Sequence, residues 1–325
     1  MPNDQILEVS GLTTHFFVPG GVVRAVDDVD ITVAREEIVT IVGESGSGKS
    51  VTAMSIIGLI EKPGRILSGE VRFLGRDLLK LSRRDMQSVR GKGISMVFQN
   101  PYTSLHPGMK IGHQMVESII YHEHIEMHEA RRRAIDMLER IGVEDASGSF
   151  ERYPFEVSAG VSQRVMLAIA LALRPSLLIA DEPTTNLDAI SQVQFLQLVK
   201  DMRDEMNMSV LIITHDFGVV SMMSDRVVVM YAGKQVESGS ADQVLHHPQH
   251  PYSAALLNSV RMLSNSRYSE RLEQIPGEVP DVMRLPPGCG FRERCTKAMD
   301  VCREAPPRVV MSENRMARCW LLQGN

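Results

Sequence analysis

Lys49 and Ser50 close the stretch GESGSGKS, Gly43 to Ser50, which fits the spacing G-x-x-x-x-G-K-[ST]. These residue types share phosphate chemistry. Glycines let successive backbone N–H groups turn inward onto anionic oxygens. A helix opening directly after the loop adds the partial positive charge of its N-terminus. The Lys49 ammonium suits the β- and γ-phosphates of a nucleotide, and the Ser50 hydroxyl suits Mg²⁺. The candidate contacts are Gly43, Ser45, Gly46, Ser47, Gly48, Lys49, Ser50 and Val51.

A second set of groups sits at the ends of apolar runs. LLIADEP delivers Asp181 and Glu182, LIITHD delivers His215, and SMVFQ delivers Gln99. Asp181 would hold Mg²⁺ through its water shell, and Glu182 would polarise an attacking water. His215 would contact the γ-phosphate or orient that water. Two acidic residues at a strand end are most often solvated caps; a phosphate loop at domain-length separation upstream reverses that balance.

Elements must hold these groups in place. QILEVSGLTTHFF and VRAVDDVDITVA alternate and read as antiparallel strands. EEIVTIVG is a buried strand feeding the loop, and VTAMSIIGLI a helix leaving it. GISMVFQNP, SLLIADEP and SVLIITHD are further strands, DRVVVMYAGKQVESG a hairpin-like pair, and AISQVQFLQLVKDMRDEM a long helix. Pro101 is expected to stop the strand before it. From Ile111 to Val143 the pattern is helical, with Ile135, Leu138 and Ile141 on one face, Gly142 as a stop and Arg131 to Arg133 on the solvated side. Strands alternating with helices imply a mainly parallel sheet, whose strand ends gather ligands on one side.

The chain has 325 residues and a net charge of −5, which argues against a dedicated nucleic-acid binder. The polar opening MPNDQILEVSGL lacks a basic region, so no signal peptide is expected. The longest apolar run, Val165 to Leu173, is about half of the roughly 20 residues a spanning helix needs. A cytoplasmic chain is expected, with other subunits crossing any membrane it serves.

In order, the motifs are GESGSGKS, FQNP, VSAGVSQR, LLIADEP, NLD and ITHD. This series resembles the nucleotide-binding subunit of an ABC transporter over roughly Ile6 to Val260. The resemblance implies an α/β fold of the P-loop NTPase type, an ABC nucleotide-binding domain over residues 1–260. It would contain an antiparallel β subdomain and a helical subdomain at about 100–170, followed by a Cys-containing extension at 261–325. It implies ATP and Mg²⁺ as ligands, with Ser50, Gln99 and Asp181 around the metal and Phe16, or failing it Phe17, stacked on adenine.

It also implies two such subunits sandwiching two ATP molecules head to tail. Ser158, Ala159, Gly160 and Gln163 of one subunit, with Asp188, then serve the ATP held by the other. Ala159 stands where the family pattern has the first of two glycines. It is strained if that position needs a left-handed backbone and harmless if it does not. Asn186 and Glu37 depart similarly, Glu37 at a strand turn where Gly is usual. Tyr102, Leu105 and His106, after Gln99, are candidates for contact with a permease helix.

Beyond about Val260 prolines accumulate and apolar periodicity weakens, so something other than a large core is expected to hold the segment. HPYSAALL, IPGEVPD and the cysteine-bearing tail resemble the peptide/nickel importer branch. All four cysteines fall here, at Cys289, Cys295, Cys302 and Cys319. Four thiols together in a cytosolic chain suggest metal. The branch resemblance favours a [4Fe–4S] cluster, with zinc and free redox thiols open. The implied partners are a second ATPase subunit in a heterodimer, two transmembrane permeases and an extracytoplasmic solute-binding protein, at the cytoplasmic face of the inner membrane. A regulatory subunit with one degenerate site and a soluble, non-transport ABC ATPase are the alternatives.

Overall fold

The computed structural model describes residues 4–185, 187–264, 275–312 and 315–323. Its strands, in chain order, are β1 (Gln5–Val18), β2 (Gly21–Ala34), β3 (Ile38–Val42), β4 (Gly64–Phe73), β5 (Arg76–Asp77) and β6 (Ile94–Val97), then β7 (Leu177–Asp181), β8 (Ser209–Thr214), β9 (Arg226–Tyr231), β10 (Lys234–Ser240), β11 (Arg308–Ser312) and β12 (Arg315–Arg318). The chain divides into two compact units. One comprises Met1–Ile6, Val33–Glu37 and Lys80–Ile213; the other comprises Leu7–Thr32, Ile38–Leu79 and Thr214–Asn325.

In the first unit β6, β7 and β8 run parallel, with Val97 beside Ala180 and Asp181 beside Ile213. Every residue of β7 and β8 is buried, as expected of parallel strands covered on both faces. The stretch read as one helix from Ile111 to Val143 is two, Ile111–Glu123 and Met127–Arg140. His124 breaks it by adopting a left-handed backbone, φ 53°. That conformation is uncommon outside glycine, and periodicity alone does not mark it. Ile111, Met115, Ile119, Ala134, Leu138 and Phe150 form the apolar interior of this helical region. Arg131 to Arg133 lie on its exposed side, paired with Glu151, Glu129 and Glu123.

In the second unit β1 pairs antiparallel with β4, Leu7 opposite Phe73 and Phe16 opposite Gly64. A separate set is built on β3, parallel to β9; β10 adds antiparallel to β9, β12 to β10 and β11 to β12. The tail therefore contributes strands. It also shares an apolar core: Phe291 is buried with Tyr231, Tyr252, Val229 and Leu257, and Ile275, Leu285, Cys289 and Cys295 pack against them. The three aromatic rings meet at 4.5–5.3 Å between centroids. This is a larger apolar anchor than the proline-rich composition suggests.

No helix among the described residues is long and apolar enough to cross a membrane.

Candidate active site

The second unit carries the phosphate loop. β3 ends at Val42 and the helix Lys49–Ile56 opens after Gly48, whose backbone is left-handed, φ 99°. A β-carbon at Gly48 would lie 2.1 Å from the Ala25 carbonyl oxygen, and one at Gly43 2.2 Å from that of Met230. No real β-carbon tolerates such distances, so these two glycines are fixed by this chain's own packing. Lys49 is buried, its Nζ donating to the carbonyls of Gly43 at 2.8 Å and Glu44 at 3.0 Å. The Ser47 hydroxyl is buried and has no hydrogen-bond partner among the described residues. A buried unpaired hydroxyl costs on the order of 1–3 kcal/mol, which a phosphate oxygen would relieve.

Glu44, an unspecified position of the motif, is gripped on several sides. Its N–H donates to the Tyr252 hydroxyl at 2.9 Å. Its carboxylate takes two hydrogen bonds from Arg294, at 2.6 and 3.0 Å. Arg294 is buried and also donates to the Pro276 carbonyl at 3.0 Å. The Glu44 carboxylate is the main reason the guanidinium is held even more firmly charged than usual. Reading by motif passed over all three residues. The available signals were Glu44 itself, a charge inside a glycine loop, and a second Arg in the FRERC stretch.

Phe16 is half-buried in β1, its ring close against Gly64, while Phe17 is exposed beneath the Arg65 guanidinium, 5.5 Å from the ring centre. His215 is exposed just after β8.

The first unit carries the carboxylates. Asp181 is buried as the last residue of β7. Glu182 follows with a left-handed backbone, φ 45°, its N–H donating to the Ile213 carbonyl at 2.8 Å. A non-glycine residue in that region costs of order 1–3 kcal/mol, and such strain gathers at functional sites. It turns the carboxylate onto Gln99. Gln99 Nε2 donates to Glu182 Oε2 at 2.8 Å, and the Thr185 hydroxyl donates to the same oxygen at 3.1 Å. The structure thus brings Gln99 and Glu182 into contact and adds Thr185, legible only as a hydroxyl three residues after a carboxylate. β6 ends at Val97, ahead of the proline; Pro101 opens the short helix Pro101–Ser104.

In the same unit Ser158 caps the helix Ala159–Leu171, accepting from the Val161 N–H at 3.3 Å. Ala159 takes the first helical position, and its φ is not positive. The conformational strain considered above is therefore absent. A β-carbon at Gly160 would meet nothing within 4 Å, so this chain does not itself require glycine there. Gln163 is buried and donates to the Pro183 carbonyl, tying this helix to the loop after Glu182. Asp188 caps the helix Ala189–Met206 through the Ile190 and Ser191 N–H groups, each at 3.0 Å. These bonds, the Ser191 hydroxyl foremost, hold its carboxyl below the usual range. In the REEI turn the left-handed residue is Glu36, φ 58°, and Glu37 accepts from the Ala34 N–H at 2.7 Å. Leu105 is buried and His106 exposed. Asn186 and the Tyr102 side chain lie outside the described residues.

Cys289, Cys295, Cys302 and Cys319 line one pocket together with His250, Phe291 and Trp320. Burial pushes the Cys289 thiol up to about 11 and raises those of Cys295 and Cys319. Among the described residues no group of three or more His, Cys, Asp or Glu is arranged to hold a metal ion.

The strand-loop-helix phosphate cradle of one unit, and in the other a buried carboxylate that ends a parallel strand followed by a strained one, are each features of a nucleotide-hydrolysing cassette. The ABC transporter family model matches residues 26–185, and the model of the oligopeptide/dipeptide transporter C-terminal region matches 236–302. The oligopeptide transport ATP-binding protein AppD of Bacillus subtilis is 44% identical, covering 98% of this chain and 97% of its own. The oligopeptide transport ATP-binding protein OppD of Salmonella typhimurium is 44% identical, over 98% of this chain and 94% of its own. Among solved structures, a dimeric post-hydrolysis ATP-binding cassette bound to ADP and Pi matches with a TM-score of 0.66 and 26% identity, covering 72% of this chain and 98% of that one. The chain belongs to the ABC transporter family, as an ATP-binding subunit with the C-terminal region of oligopeptide/dipeptide transporters.

Proposed function

We propose that this chain is the ATP-hydrolysing subunit of a peptide importer. The observation that carries the catalytic part is the Glu182 corner: a strained strand-end carboxylate oriented by Gln99 and Thr185, both neutral donors. Glu182 is the base that polarises the attacking water, and Gln99 positions it. Lys49 and the loop N–H groups hold the phosphates, with the Ser47 hydroxyl a further donor. By the family resemblance Ser50, Gln99 and Asp181 would hold Mg²⁺, which would supply positive charge against the phosphate oxygens. His215 is assigned to contact the γ-phosphate or orient the attacking water, and Phe16 to stack on the adenine.

Peptide as the solute is supported by the names of the relatives and by the C-terminal region match. Those names give no support to a purely regulatory or non-transport role. In this reading two permeases and an extracytoplasmic solute-binding protein complete the transporter, at the cytoplasmic face of the inner membrane. A second, different ATPase subunit pairs with this one, and Ser158, Ala159 and Gly160 serve the partner's ATP. For the tail, the family resemblance assigns a [4Fe–4S] cluster to Cys289, Cys295, Cys302 and Cys319; the four thiols line one pocket, but among the described residues they are not arranged as a metal-holding group. No step of ATP hydrolysis runs through it; iron and sulfide content of the purified chain tests it, with zinc or no metal as the contrary results.

Glu182→Gln tests the catalytic assignment. MgATP binding should persist while hydrolysis by the assembled transporter falls roughly 10²–10⁴-fold. Hydrolysis at the wild-type rate would refute the assigned base.

A further inference from the structure

Glu44 is the meeting point of the phosphate loop and the C-terminal region. Its N–H is committed to the Tyr252 hydroxyl, its carboxylate to both arms of the Arg294 guanidinium, and its carbonyl to Lys49 Nζ. Arg294 is itself fixed by the Pro276 carbonyl and the Tyr231 hydroxyl, and sits directly before Cys295. Tyr252 is fully buried between Tyr231 and Phe291. A bidentate guanidinium–carboxylate pair sets both distance and plane. Ion pairs of this kind, taken out of water, add little net stability. What they add is a defined geometry, and the geometry they define here is that of the loop carrying Lys49.

We propose that Arg294 and Tyr252 are positioning residues for ATP binding: through Glu44 they set the phosphate loop and the Lys49 ammonium, so that the C-terminal region completes the nucleotide site. With the Glu44 N–H held by Tyr252, that group is turned away from phosphate, and the N–H groups further along the loop do the cradling. The inference rests on the assignment of Gly43 to Ser50 as the ATP phosphate site.

MgATP affinity of the full-length chain, measured by calorimetry alongside its thermal midpoint, tests this. Arg294→Gln and Glu44→Gln should each weaken binding about tenfold, the size expected for losing one bidentate charged contact. The double variant should bind no worse than the weaker single, because both act through one contact. Arg294→Lys, which keeps the charge, should recover part of the loss, and Tyr252→Phe, which removes only the hydroxyl, should weaken binding about threefold. Wild-type affinity in all four single variants, losses that add in the double variant, or a lowered midpoint with unchanged affinity would overturn the proposal. Lys49→Ala separates the two levels. If it abolishes binding, the phosphate-site assignment stands whatever the other variants do; if it binds MgATP normally, that assignment fails and the proposal with it.

Discussion

The phosphate loop and the loop Val157-Ser158-Ala159-Gly160 are both glycine-bearing turns at helix N-termini, yet their glycines answer to different neighbours. At Gly43 and Gly48 a single β-carbon would strike a backbone carbonyl of this chain at 2.2 or 2.1 Å. At Gly160 it would strike nothing. The first loop is dictated by its own fold. The second is unconstrained by its own fold, which fits a surface shaped for something outside the chain. Ala159 itself occupies an ordinary helical position, with no left-handed backbone to strain it.

Substitutions sharpen this contrast. Gly48→Ala should have the largest effect. It combines a left-handed backbone with a carbonyl that cannot retreat, and should cost about 3 kcal/mol or more, with MgATP binding lost. Chemical denaturation reads the first and calorimetry the second; a near wild-type midpoint would mean the loop is softer than its packing implies. Ser158→Ala removes the cap on the Val161 N–H and should lower stability by about 1 kcal/mol, a smaller loss confined to one helix end. Ala159→Gly should be smaller still, within about 0.5–1 kcal/mol of wild type, since it only trades helix propensity at a first-turn position. Turnover of the assembled complex should then stay within about twofold, given the absence of strain at Ala159. A large gain in turnover would show instead that the Ala159 methyl obstructs the partner's phosphate.

Much of the site was legible because its chemistry sits in contiguous residues. The Lys49 loop follows one strand, and Asp181 ends another with Glu182 next after it, so order and spacing along the chain were enough to nominate them. Gln99 was readable as a strand-end residue, although β6 stops at Val97 and only the following turn brings its amide to Glu182. Contacts between residues far apart in sequence were not legible. Nothing local to Glu44 announces Arg294, 250 residues away, and Tyr252 stands in the sequence only as part of the branch stretch HPYSAALL, with no role of its own. The break at His124 escaped periodicity because apolar positions continue on both sides of it. The aromatic core under Phe291 escaped because Tyr231, Tyr252 and Phe291 come from three separate stretches.

We propose that Gly160 and its neighbours serve a nucleotide held by the partner subunit. Gly160→Val tests it most directly, compared in two settings: the single chain, for thermal midpoint and MgATP affinity, and the assembled transporter, for vanadate-trapped ADP. Midpoint and affinity should be unchanged in the chain alone, with trapping reduced at least tenfold in the complex, as expected for losing preorganised transition-state contacts. A fall in MgATP affinity of the single chain, or full trapping in the complex, would contradict it.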